Sequence, residues 1–174
     1  MQRATLSRKV LSVVVAVALI AALIPYPMAT VPEWRVQYVD NKGRPVAGLP
    51  VEQTWQNYSV ESTANLMTLR TDAQGYVVFP AHSTWSPLLL RLFGPVRNVF
   101  STGVHASFGP SSWLIPKCDV TDANALAIYT GSKDLPTQIV LKYFDRSAIR
   151  AAIPARDLPP VPAECTAIEA QVKG

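Results

Sequence analysis

The chain has 174 residues, 49% of them hydrophobic and 16% charged, with 15 prolines and 2 cysteines. This excludes a disordered chain, a disulfide-dense scaffold and a multi-span membrane protein, and the length suits one domain with attachments. The net charge of +4 is concentrated at one end: residues 1–30 carry three bases and no acid, leaving 13 bases against 12 acids elsewhere.

Arg3, Arg8 and Lys9 precede an apolar run, residues 10–24, whose only polar member is Ser12. A basic start followed by such a run is the pattern of a secretory signal. Extended through Pro25-Tyr-Pro-Met28 the run reaches 19 residues, about 28 Å as a helix and close to a bilayer's hydrocarbon thickness. Residues 1–30 are therefore predicted to be a signal peptide or a signal anchor. Ala21, Ala22 and Ala29 lack a small residue two positions before them, so retention as an anchor is the preferred reading. The bases hold the N-terminus in the cytoplasm and place the body outside. It is then anchored at the inner membrane facing the periplasm, or periplasmic or secreted if the signal is cleaved.

From residue 31 to 144 short alternating runs lie between turns, which predicts a β domain. Trp34, Val36 and Tyr38 alternate with Arg35 and Gln37, and a turn follows at 40–43. Leu49, Val51, Gln53 and Trp55 share one face of a second strand, a third covers 65–71, and a turn at 72–75 leads into Tyr76-Val-Val-Phe79. Ser86 as a cap, Pro87 at the first helical position and Gly94 as a stop predict a short helix. Further strands are expected around Val104, Ala106 and Phe108, around Leu126 and Ile128, and over 137–144. Residues 145–174 read as a Pro- and Ala-rich tail, with a helical turn near 146–152.

Val39-Asp40, Gly43-Arg-Pro-Val-Ala-Gly48, Pro50-Val51 and Thr71-Asp-Ala-Gln-Gly-Tyr-Val-Val-Phe79 resemble the carboxypeptidase regulatory-like domain, of the transthyretin-like group. The resemblance covers residues 34–80 and implies an all-β fold, an antiparallel transthyretin-like or Ig-like β-sandwich behind one N-terminal apolar helix. It also implies a binding or structural module and not an enzyme. The 5-hydroxyisourate hydrolases of that group end in Tyr-Arg-Gly-Ser, whereas Tyr129-Thr-Gly-Ser132 lacks the arginine and is followed by 42 residues.

Two cysteines in an exported chain predict one bridge, Cys118–Cys165, pinning the tail to the sandwich. His82 and His105 lack metal spacing and a neighbouring carboxylate in sequence, so no catalytic, cofactor or metal residue is assigned. Asp119-Val-Thr-Asp122-Ala-Asn124 lacks the glycine and distal glutamate of a calcium loop. Asn57-Tyr-Ser59 fits a glycosylation sequon. Trp34, Trp55, Trp85 and Trp113 are read as packing residues. No basic patch interleaved with aromatics points to nucleic acid, and the pI near 9.2 reports the N-terminus. The expected function is that of a non-enzymatic bacterial envelope protein binding another envelope protein or a cell-wall polymer. The alternative is a small periplasmic hydrolase using His82 or His105.

Overall fold

The alternation that begins at Trp34 folds as strand in the computed structural model, which describes residues 2–118, 126–131, 134–142 and 163–174. The chain opens with α1 (Gln2–Leu23) and continues through β1 (Pro25–Val31), β2 (Trp34–Val39), β3 (Pro50–Asn57), β4 (Asn65–Arg70), β5 (Tyr76–Phe79) and β6 (His82–Pro87). Then come α2 (Leu88–Thr102), a 3-10 turn (Gly103–His105), β7 (Pro110–Pro116), β8 (Ala127–Tyr129), β9 (Gln138–Val140) and α3 (Ala163–Lys173).

Two sheets face each other as a sandwich-like core. One has the order β5-β2-β9 and the other β4-β3-β7-β8, while β1 and β6 form a separate antiparallel ribbon. Period-two side chains explain the facing. Trp34, Val36, Tyr38, Val77, Phe79 and Ile139 point inward from the first sheet, and Val51, Leu114 and Ala127 from the second. Val46 and Leu49 fill the space from the connection between β2 and β3. Each large apolar side chain so buried contributes about 1.5–3 kcal/mol.

The two turn motifs are built as one unit. Asp40 Oδ1 accepts the N–H groups of Lys42 and Arg44, both at 2.8 Å, and Gly43 takes the positive φ of +78° that closes the turn. Asp72 Oδ1 accepts from the N–H groups of Gln74 and Tyr76 at 2.8 and 2.9 Å. The Gly75 carbonyl then accepts the N–H of Tyr38 at 2.8 Å, docking one turn on the other strand. At φ +75° it also lies so close that a Cβ would stand 2.5 Å from the Tyr38 carbonyl oxygen. Thr71 joins the set: its hydroxyl donates to Val46 O at 2.7 Å and accepts from Leu49 N at 2.9 Å.

Several expectations are corrected. The fold is not strictly all-β, since three α-helices stand among the described residues. It is not wholly antiparallel either, because β9 pairs parallel to β2. The N-terminal helix stops at Leu23 and does not continue through Met28. Pro25 begins a strand that pairs with β6, Pro25 opposite Pro87. Three prolines, Pro25, Pro27 and Pro87, are tolerated there because the ribbon has only edge strands. The helix after β6 does not end at Gly94 but runs through Gly94 and Pro95 to Thr102, and Ser86 is buried in β6 without capping it. Val104 belongs to the 3-10 turn and not to a strand; the strand in that region is β7. In β8 it is Ala127 that turns inward, with Leu126 and Ile128 exposed. β9 is shorter than 137–144, although Ile139 and Leu141 are buried as expected. The tail contains α3, whose Cys165, Ile168 and Val172 enter the core. The turn near 146–152 lies outside the described residues.

Candidate functional site

The cysteine pair is brought together. Cys118, just past β7, and Cys165, in the first turn of α3, form a disulfide with Cα atoms 5.2 Å apart, inside the usual range. Both are buried, and α3 places Ile168 and Val172 on the same stripe one and two turns further on.

His82 is held by packing. Its ring stacks on the Trp55 indole with centroids 3.7 Å apart, and its Nε2 meets Gln53 Oε1 at 2.9 Å. Gln53 is fully buried on β3, facing the β1–β6 ribbon. With the amide oxygen as acceptor, Nε2 carries the proton of this bond. Burial lowers the His82 pKa and so favours the neutral ring. The partner is an amide and not a carboxylate, so the acid–base pairing that a hydrolase needs is not what this histidine makes. His105 closes the 3-10 turn after α2, on a different element.

A cleft of about 470 Å³ opens between α2 and the end of β3. Gln56, Tyr58 and Glu61 form one wall, and Arg97, Asn98, Ser101 and Thr102 the other. Its polar groups are largely committed to the fold. Glu61 Oε1 accepts from Thr84 Oγ1 at 2.9 Å and from Asn65 Nδ2 at 3.3 Å, and its Oε2 accepts the N–H of Asn57. Asn98 Nδ2 donates to the carbonyls of Tyr58 and Ser107. These bonds seat α2 on the body. The Glu61 carboxylate is thus taken up by three donors, and sequence reasoning had no signal for this cleft because its walls come from distant segments.

The remaining candidates sort by burial. Asn57 is buried and its Oδ1 accepts the N–H of Ser59, so the sequon amide is turned inward. Trp34 is buried and donates Nε1–H to Pro136 O at 3.1 Å. Trp113 packs edge-on against Tyr58, whereas Trp85 is 67% exposed and is no packing residue. Residues 119–124 lie outside the described residues. Among the described residues no group of three or more His, Cys, Asp or Glu side chains is placed to hold a metal. Likewise no helix among them is long and apolar enough to cross a membrane. Comparison of the chain with family models, with curated proteins and with solved structures gave no match.

Proposed function

We propose that this chain is a bacterial envelope protein without a catalytic role. It is an exported sandwich of the carboxypeptidase regulatory-like kind, a binding or structural module kept at the outer face of the inner membrane. The observation that carries the reading is α1: its side chains from residue 10 to 20 are all exposed, its only charges lie at the basic end, and it enters β1 after a single residue, Ile24. Water is a poor solvent for such a surface. Residues 10–23 extend about 21 Å, short of a ~30 Å hydrocarbon core but within the length of a signal's apolar region. Arg8 and Lys9 can lengthen its reach by snorkelling. The disulfide supports the same compartment, because such bonds persist where thiols are oxidised. The turn unit of Asp40, Gly43, Asp72 and Gly75 supports the family resemblance, since each motif residue has a structural task there.

The outer face of the four-stranded sheet is the surface offered to a partner. Leu66, Thr54, Trp113 and Ile128 form one row across β4, β3, β7 and β8. Leu66 and Ile128 are exposed, and Glu52 and Lys117 form an ion pair beside the row at 2.9 Å. An apolar row with a charged rim suits an envelope protein or a cell-wall polymer. A reporter fused after Gly174 tests the location: it should be active only outside the cytoplasm, with the chain in the membrane pellet. Activity only in the cytoplasm would overturn the proposal. Intact mass then decides retention, because cleavage after Ile24 spares the ribbon while cleavage after Met28 or Ala29 would remove most of β1.

A further inference from the structure

Helix α2 is inside out. At 100° per residue Leu88, Val99, Leu92, Val96, Phe100 and Phe93 fall on one side, and Arg97, Gly94, Asn98 and Arg91 on the other. In a surface helix of a water-soluble body the apolar stripe faces the core. Here the polar side does. Gly94 is buried so close to Ser59 that a Cβ would stand 1.7 Å from its carbonyl oxygen, and Asn98 hydrogen-bonds the body from the next turn. The apolar side is left outward, with Phe93 at 63% and Phe100 at 86% exposure. Val104 and Phe108, past the helix end, and Trp85, on the ribbon, are exposed as well.

Two further observations say what covers this face. The first is continuity. Pro25 pairs with Pro87, so the ribbon sets the end of α1 directly beside the start of α2, and the two helices share one root. The second is charge. Neither helix contains an acidic residue, and α2 carries Arg91 and Arg97. Arg91 lies over the Tyr26 ring, 4.1 Å from its centroid, and donates to the Tyr26 carbonyl, which ties the base of α2 to the ribbon. A helix rich in Leu, Val and Phe with arginines and no acid is built for an anionic lipid interface. Exposed Trp85 at its root fits the headgroup level.

The geometry points to α2 as an in-plane membrane helix, which lies in the bilayer surface on Leu88, Leu92, Phe93, Val96 and Phe100 and lays the sandwich against anionic lipid. This rests on the proposed envelope location only for which bilayer is met, and the test separates the two. A photoreactive benzophenone side chain is placed singly at Phe93, Phe100, Leu19 of α1 and Val78 of β5 in the full chain. The protein is reconstituted in phosphatidylglycerol-containing vesicles, illuminated, and analysed by mass. Lipid adducts are expected at Phe93 and Phe100 and none at Val78, an exposed position on the three-stranded sheet. Adducts at Leu19 without any at Phe93 or Phe100 would overturn this inference and leave the anchor standing. Adducts at Phe93 and Phe100 without any at Leu19 would uphold it and remove the anchor. A cross-link of twice the chain mass at Phe100 would mean that a second copy covers the face, and would overturn it. With the probe at Val96, the double change Phe93→Asp and Phe100→Asp should abolish the lipid adduct while the bridge and the β-rich dichroism remain. An undiminished adduct would refute the seating.

Discussion

Replacing both bridge cysteines, Cys118→Ala with Cys165→Ala, removes the covalent link between β7 and α3 while leaving small apolar side chains in its place. The bridge spans 47 positions. In the chain-entropy model a loop of that length costs the unfolded ensemble about 13–14 cal/mol/K, which is ~4 kcal/mol at 25 °C. The bridge is not the only hold on α3. Ile168 and Val172 are buried, and their burial contributes ~3–6 kcal/mol together. The Arg70–Glu164 ion pair and the bond from Ala47 N to Gln171 Oε1 are exposed and add little. Eleven residues are too few for a helix to persist alone in water. The expected result therefore has two parts: a fall of ~3–4 kcal/mol in urea titrations of the full chain in mild detergent, and early amide exchange over residues 163–173 while β2 and β3 stay protected. The same segment should become protease-sensitive on reduction. A loss below ~1 kcal/mol with unchanged exchange in α3 would refute the reasoning, and would mean that apolar packing alone holds the helix.

Three other outcomes follow from the geometry. Gly75→Ala should cost well above ~1 kcal/mol, because the new Cβ meets the Tyr38 carbonyl, whereas Gly43→Ala, at a similar φ of +78° but with open space around it, should cost only ~1 kcal/mol; thermal melts of the two side by side decide this. Asp40 is buried, which opposes its charge, but the Arg44 N–H and guanidinium and the Lys42 N–H outweigh that and hold the carboxyl below its ordinary value of 3.8. Its contribution is thus complete above that value and lost as pH falls through the lower folded value, so the acid unfolding limb should flatten in Asp40→Asn. The His82 imidazole, lowered by burial, should titrate below 6.5 by NMR, and its contribution to stability is lost as pH falls through that midpoint; a midpoint above 6.5 would contradict the stacked, neutral ring.

What was legible in the sequence was whatever depends on near neighbours. Alternation placed β2, β3, β4 and β5, and the Asp and Gly of each turn announced its geometry. The bridge was legible from the cysteine count and the expectation of export. What failed depended on distant partners. Gly94 read as a helix stop, yet the helix continues through it, and Gly94 makes a close contact with Ser59 that no local pattern records. Pro25 and Pro27 extended an apolar run on paper, but β6 recruits them into a ribbon. The parallel pairing of β9 with β2 joins segments 101 positions apart at Gln37 and Gln138. The stripe of α3 has only three apolar positions inside a Pro-rich stretch. Spacing assigned His82 no catalytic role, and its partners, Gln53 and Trp55, could be found only through the fold.

The ribbon decides how the parts act on one another. It receives α1 at Pro25, pairs that strand along its length with β6, and releases α2 at Leu88. Its polar side chains bond across and into the body: Thr30 meets Thr84 at 2.9 Å, Thr84 reaches Glu61, and His82 reaches Gln53. Glu61 in turn holds the backbone of Asn57, at the end of β3. Hydrogen bonds therefore join the ribbon that carries both apolar helices to β3, with no long linker between. β3 is also the strand that carries Thr54 in the exposed row offered to a partner. A sandwich tethered by a long linker could meet its partner at any distance from the bilayer. Were α1 held in a bilayer as proposed, the single residue between α1 and β1 would confine that meeting to within the thickness of the body itself.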